Sequence, residues 1–116
     1  NGLEKIDVDN LGRQIRYHKT FAPEGTNVNF IEVLDNNSIK IRTYERGVEA
    51  ETLACGTGSA ASALILALSI NIADHVNVHT QSGEILKVYF KKDNHKFSDV
   101  WLQGRVRVVY KGEYYV

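Results

Sequence analysis

The only cysteine in this chain of 116 residues, Cys55, stands directly before a Gly-Thr-Gly segment and a long apolar run. The run predicts a helix that begins at Gly56 and ends near residue 70. The first N–H groups of a helix have no internal partners, and the helix dipole adds about half a positive charge there. Both effects favour a thiolate, the reactive form of a thiol. The backbone N–H groups of Gly56, Thr57 and Gly58 could hold a carboxylate, so that Cys55 faces the neighbouring carbon.

Other interpretations of this segment compete with a catalytic one. A lone cysteine before a helix is more often a small buried apolar residue than a reactive group. The Gly-Thr-Gly turn lacks the spacing of a phosphate-binding P-loop. The histidines do not have metal-ligand spacing with Cys55, so no metal site is predicted; they are His18, His75, His79 and His95. A catalytic Cys–His pair stays open, because sequence distance does not exclude it.

The elements that would position Cys55 form one helix and several strands. The helix at residues 56–70 is apolar on nearly all sides, so we expect protein to surround it. A shorter helix, capped by Asp9 or Asn10, would carry Leu11, Ile15 and His18 on one side. Strands are predicted at residues 27–33, 38–44, 76–80, 85–90, 100–103 and 106–110. The predicted fold is α+β, with a mostly antiparallel or mixed sheet wrapped around one long buried central helix.

Composition and charge limit the class of protein. Hydrophobic residues make up 43% of the chain and charged residues 24%, as is typical of a globular protein with one domain over residues 1–116. The 14 basic and 14 acidic residues balance, which argues against a nucleic-acid partner. The apolar run is shorter than the ~20 residues that span a membrane. A single cysteine favours a reducing, cytoplasmic location, and the absence of methionine predicts a piece of a longer chain.

The segment around Cys55 resembles the signature of the diaminopimelate epimerase family. The resemblance is carried by "ERGV" at residues 45–48 and "ETLACGTG" at residues 51–58. It extends upstream to "GTNVNF" at residues 25–30, and downstream to "QSGEILKVYF" and the closing "LQGRVRVVYKGEYYV". Nearly the whole chain is therefore similar to the C-terminal domain of a two-domain epimerase.

The resemblance implies a mechanism that needs no cofactor. Enzymes of this family convert LL-diaminopimelate to meso-diaminopimelate with two cysteines, one taking the α-proton and the other giving a proton on the opposite face. Cys55 would be one of the pair. The second cysteine would belong to an N-terminal half absent from this chain, so we expect the chain alone to be inactive. The implied partners are a small amino-acid substrate and that missing half, with a homodimer left open and no membrane partner.

The resemblance also assigns individual residues. Glu45 and Arg46 correspond to residues that contact the distal amino-acid end of the substrate, and Asn27 to a substrate-binding asparagine. Gly56 and Thr57 correspond to the backbone donors that hold the reacting α-carboxylate. Two departures from the family pattern stand out. The segment at residues 48–52 is one residue longer than the "AGET" form of many members, and "GRV" at residues 104–106 replaces an expected Gly-Pro-Ala.

Alternatives of two classes remain. Proline and hydroxyproline racemases share the two-half, two-cysteine plan. The small ring of their substrates, however, has no distal charged end for Glu45 and Arg46 to bind. Isomerases of the phenazine-biosynthesis type share the fold and lack the thiols, which Cys55 argues against. A non-catalytic binding domain, or a remnant that has lost its partner half, is the alternative outside the enzymes.

Overall fold

The protein is an α+β domain with a mixed sheet, as the sequence predicts. A computed structural model describes residues 2–72 and 74–116. In chain order the elements of these residues are the 3-10 helix η1 (Leu3–Lys5), α1 (Val8–Arg16), the 3-10 helix η2 (Lys19–Phe21), β1 (Val28–Asp35), β2 (Ser38–Glu45), β3 (Ala50–Thr52), α2 (Gly56–Ser69), β4 (His75–His79), β5 (Ile85–Asp93) and β6 (Lys96–Gln103). No helix within the described residues has the length and apolar character needed to cross a membrane.

The six strands form one sheet in the order β1-β2-β4-β5-β6, with β3 paired to the second half of β2. Strands β2 and β4 run parallel, and all other pairs are antiparallel. Because β3 and β4 pair with successive halves of β2, the chain must cross between them, and α2 makes that crossover. Helix α2 therefore begins close to the point where β3 ends.

The main core lies between α2 and one face of the sheet. In β2, Ile39, Ile41 and Thr43 are at most 3% exposed, and as alternate residues of the strand they share the face that meets α2. The buried residues that pack together in this core are Ile39, Ile41, Ala63, Leu66, Ala67, Ile72, Val76, Val78, Val88 and Phe90. We call the side of the sheet that meets α2 the α2 face.

Helix α2 is buried along one side only. Its opposite side presents Ile65, which is 59% exposed, and Leu68, which is 45% exposed. Thr57 and Ala61 are exposed as well, and they continue this stripe toward the start of the helix. The described residues therefore do not surround α2, and its enclosure on all sides stays a prediction.

Helix α1 packs on the opposite face of the sheet, against Tyr44, which is 1% exposed. A Cβ added to Gly12 would lie 2.4 Å from the Cβ of Tyr44, so the glycine lets the helix and the strand approach closely. Leu11 and Ile15 are 42% and 39% exposed, and the helix ends at Arg16, so His18 lies beyond it and not on the predicted side. The predicted cap is wrong as well, since Asp7 accepts the capping hydrogen bond.

The sheet ends earlier than the sequence predicts. Residues 104–116 form neither helix nor strand, so the predicted strand at 106–110 is wrong for this chain. No neighbouring strand among the described residues pairs with this segment. Its apolar side chains are exposed; Val106, for example, is 96% exposed.

Candidate active site

Cys55 is the N-cap residue of α2, with an extended backbone at φ −134°. Its carbonyl oxygen accepts the first helical hydrogen bond, from the N–H of Ser59 at 2.9 Å. The side chain is buried, and Sγ lies 3.5 Å from Oγ1 of Thr57. Cys55 makes no side-chain capping hydrogen bond, so its thiol does not occupy the N–H groups of the first helical turn.

The start of α2 lies directly against strand β1. A Cβ added to Gly58 would lie 2.3 Å from Oδ1 of Asn29, so only a glycine permits this approach. The same Asn29 oxygen accepts a hydrogen bond from Oγ1 of Thr43 at 2.8 Å. Thr43 pairs with Asn29 on one side and with Thr52 of β3 on the other. This row of polar residues marks the level of the sheet at which α2 begins.

Glu45 and Asn27 lie beyond this row on the α2 face of the sheet. Side chains two residues apart in a strand point to the same face, and they are separated by about 6.5 Å. Glu45 is two residues beyond Thr43 at the end of β2, and Asn27 is two residues before Asn29. The side chain of Glu45 therefore points to the α2 face, and Asn27 directly precedes β1 at the same end of the sheet.

A hydrogen bond joins Asn27 to the turn that follows β2. Oδ1 of Asn27 accepts a hydrogen bond from the backbone N–H of Arg46 at 2.8 Å. The guanidinium Nη1 of Arg46 donates to the carbonyl oxygen of Glu24 at 3.2 Å. The carbonyl oxygen of Glu45 accepts from the N–H groups of Val48 and Glu49, closing the turn at residues 45–49. We call residues 45–49 the Glu45 turn.

The carboxylate of Glu49 anchors the Glu45 turn from the α1 side. It accepts hydrogen bonds from the N–H of Gly47 at 2.8 Å, from Tyr17 OH at 2.8 Å and from Nε of Arg16 at 3.1 Å. These bonds stabilise the charged form, so the pKa of Glu49 falls from 4.5 to about 2, with the Gly47 N–H as the largest cause. The bond to Glu49 in turn raises the pKa of Tyr17.

The loop between β4 and β5 supports the chain that leads to Cys55. The N–H of Ser82 donates to the carbonyl oxygen of Leu53 at 3.1 Å. Oγ1 of Thr80 donates to the carbonyl oxygen of Glu84 at 2.9 Å. Oγ of Ser82 lies 2.8 Å from the same Thr80 oxygen. The "QSGE" segment thus forms a tight turn beside the segment before α2.

The predicted site residues form two groups. The first group is Glu45 and Arg46 of the Glu45 turn with Asn27, which is hydrogen-bonded to it, and the second is Cys55, Gly56 and Thr57 at the start of α2. Both groups lie at the same end of the α2 face, while their roles toward a substrate stay predictions. Sequence reasoning missed Asn29, although its spacing of two from Asn27 in a predicted strand was a usable signal. It also missed Gly58 as a packing position and Glu49 as an anchor.

A Cys–His pair receives no support from the contacts of these residues. The sulfur of Cys55 lies beside Thr57, while Nδ1 of His75 lies 2.7 Å from Oδ1 of Asp74. Across residues 2–72 and 74–116, no three side chains of the metal-ligating types cluster closely enough to hold an ion.

A groove of about 620 Å³ lies away from Cys55. Its lining includes Asn77 and His79 of β4, which alternate with the core residues Val76 and Val78 and so point away from α2. None of the predicted site residues lines this groove. It belongs to the outer face of the sheet and not to the candidate active site.

Fold and site together define an α+β domain that presents a cysteine at a helix N-terminus beside the polar ends of two strands. The sequence model of the diaminopimelate epimerase family matches residues 1–109. The chain therefore belongs to the diaminopimelate epimerase family.

Curated relatives carry the same family name. The chain is 49% identical over 111 residues to the diaminopimelate epimerase of Hydrogenobaculum sp., a match that covers 95% of this chain and 38% of the relative. It is 49% identical to that of Aquifex aeolicus, covering 95% of this chain and 39% of the relative. It is 45% identical to the diaminopimelate epimerase of Chlorobaculum tepidum, a match that covers 97% of this chain and 43% of the relative. The chain thus spans roughly two fifths of the length of these relatives.

Proposed function

We propose that the intact protein containing this chain converts LL-diaminopimelate to meso-diaminopimelate without a cofactor. The observation that carries this proposal is the position of Cys55 at the N-terminus of α2, at the same end of the sheet as Glu45, the last residue of β2, and Asn27, which directly precedes β1. Membership of the epimerase family supports the choice of reaction and substrate.

The reaction is an inversion at the α-carbon by two bases. The Cys55 thiolate takes the α-proton, and the electron pair left on the carbon is delocalised into the α-carboxylate. The N–H groups of Gly56 and Thr57 hold that carboxylate and stabilise its growing negative charge. A second thiol then gives a proton to the opposite face of the carbon. Two thiols are needed because a single base tends to return the proton to the face it left.

The Glu45 turn supplies specificity for the distal end of the substrate. Diaminopimelate carries a second amino group and a second carboxylate, which the carboxylate of Glu45 and the guanidinium of Arg46 complement in charge. Asn27 holds the backbone of Arg46 and so keeps this pair in place. A proline ring has no such distal charges, which favours diaminopimelate over proline as the substrate.

The second thiol comes from a further domain that completes the protein. The relatives are more than twice as long as the matched segment, and Cys55 is the one cysteine here. The exposed apolar side of α2, with Ile65 and Leu68, is the surface that this domain would cover. Covering it would turn α2 into the enclosed central helix. We infer that the chain alone is inactive, and that the enzyme works in the cytoplasm, where thiols stay reduced.

The test is a comparison of substrates with the intact protein. We expect turnover of LL-diaminopimelate and no racemisation of proline, both followed by chiral chromatography. Glu45→Ala should raise KM for diaminopimelate by about tenfold, since a hydrogen bond to a charged group contributes roughly 1.5 kcal/mol. Its thermal unfolding should stay close to that of the wild type. Turnover of proline, or unchanged kinetics in Glu45→Ala, would contradict the proposal.

A further inference from the structure

Glu49 adopts a backbone conformation that its residue type does not favour. Its φ is +61°, in the left-handed region that glycine and asparagine prefer. It lies in the segment that is one residue longer than the short form of the family motif. A glutamate in such a position needs compensating contacts from its side chain.

Those contacts reach in two directions. Oε1 accepts from the N–H of Gly47 within the Glu45 turn and from Nε of Arg16 at the end of α1. Oε2 accepts from the hydroxyl of Tyr17, the residue that follows α1, at 2.8 Å. The hydroxyl of Tyr44 lies 3.4 Å from the same oxygen. One carboxylate therefore ties the Glu45 turn to α1 and to β2.

The carboxylate lies on the side of the sheet opposite to Cys55. Tyr44 packs against α1, whereas its neighbours Thr43 and Glu45 point to the α2 face. Glu49 therefore has no route to the substrate through its own side chain. Its influence on the site must pass through the backbone of residues 45–47.

We propose that Glu49 is a positioning residue that couples α1 to the Glu45 turn and thereby fixes Glu45 and Arg46 for the distal end of diaminopimelate. This inference rests on the proposed function. The depressed pKa of Glu49 agrees with it, because the carboxylate stays charged at neutral pH and keeps its donors. The side chain of Arg16 is only 13% exposed and also donates to the carbonyl oxygen of Glu24, the residue whose oxygen Arg46 contacts.

The expected consequence is a loss of substrate affinity. A turn that holds its binding conformation only a tenth of the time weakens the apparent affinity about tenfold. The chemistry at Cys55 is not touched, so kcat for the bound substrate should change by less than about twofold. The effect should be confined to ligands that carry distal charges.

The sharpest variant is Glu49→Gly in the intact protein. Glycine accepts φ +61° freely, so the variant removes the carboxylate while relieving the backbone. The matched control is Asn94→Gly, because Asn94 has φ +55° in the turn between β5 and β6, away from Cys55. Tyr17→Phe is a milder second variant, which removes one donor and leaves the carboxylate in place.

The readouts are KM and kcat for LL-diaminopimelate, and the inhibition constant of 2-aminoheptanoate, an α-amino acid of the same chain length with an apolar distal end. We expect Glu49→Gly to raise KM about tenfold and to leave the inhibition constant unchanged. Tyr17→Phe should shift KM in the same direction by less, and Asn94→Gly should not shift it.

Three results would overturn the inference. An unchanged KM in Glu49→Gly, with an active wild-type protein, would refute the positioning role alone. Equal weakening of both ligands would show a general structural effect in place of positioning at the distal end. An inactive wild-type protein would refute the proposed function, and the positioning role with it.

Discussion

Gly58 shows at the scale of single residues why α2 begins where it does. Its missing side chain lets Asn29 of β1 lie against the first turn of the helix, level with Thr43. Any larger residue would push the N-terminus of α2 away from the sheet. The position of Cys55 relative to Asn27 and Glu45 thus depends on a glycine with no chemistry of its own.

We predict that Gly58→Ala destabilises the protein, although alanine normally favours a helix over glycine. The added Cβ would meet the Asn29 side chain at 2.3 Å, and overpacking of this kind costs about 1–3 kcal/mol. Urea unfolding would measure the loss. Asn29→Ala in the same chain should restore part of it, and strictly additive effects of the two changes would contradict the proposed clash.

The ionisation of Glu49 predicts how stability depends on pH. Its pKa is about 2 in the folded protein and 4.5 ordinarily, so the unfolded chain binds the proton more readily. The stabilisation is complete above the unfolded value and is lost as the pH falls through the folded value. Glu49→Gln removes this dependence. The difference in unfolding free energy between the wild type and Glu49→Gln should therefore shrink from pH 6 toward pH 2, and a constant difference would contradict the assignment.

The sequence was enough to predict the candidate site residues, but not the contacts that hold them in place. Cys55 before Gly-Thr-Gly and an apolar run suffices to place a thiol at a helix N-terminus, as the structure shows. The role of Asn27 as an acceptor for the Arg46 backbone depends on the register of β1 on β2. The anchor at Glu49 depends on α1 packing across the sheet, a contact between distant parts of the chain that no local pattern encodes.

At the scale of elements, one helix could be predicted from the sequence more fully than the other. Helix α2 was predicted to within a residue, because its apolar run has a glycine-rich start and is long. The packed side of helix α1 could not be predicted from its apolar residues alone, because Val8 and Gly12 are buried while Leu11 and Ile15 stay exposed. Hydrophobic periodicity does not register a glycine that permits close approach.

The exposed side of α2 predicts a difference between the chain alone and the intact protein. Ile65→Glu should change the unfolding free energy of the chain alone by less than about 0.5 kcal/mol, because Ile65 is 59% exposed. In the intact protein it should cost more than about 1 kcal/mol if a second domain covers this side. Thermal or urea unfolding of both proteins measures the two effects.

Ile85→Glu is the matched control for this comparison. Ile85 is 50% exposed but lines the groove on the outer face of the sheet. Its replacement should have the same small effect in both proteins. An equally small effect of Ile65→Glu in both proteins would contradict the proposed contact between α2 and the missing domain.

At the scale of the whole molecule, the chain leaves much apolar surface uncovered. Leu53 and Leu102 near the start of α2 are 66% and 45% exposed, and the apolar residues after β6 are exposed as well. A sheet with one face only partly covered is consistent with a segment that spans roughly two fifths of its relatives. The strand predicted at residues 106–110 does not form, since a strand needs a neighbouring strand to pair with.

The most direct test of the account is exchange of the substrate α-hydrogen in D₂O by the intact protein carrying Cys55→Ser. If the Cys55 thiolate takes the α-proton of LL-diaminopimelate, deuterium uptake at the α-carbon of that substrate and its epimerisation should both fall by about 10²–10⁴-fold, the usual contribution of a positioned base. Thermal unfolding should stay near that of the wild type. Exchange and epimerisation within about threefold of the wild type would contradict the account.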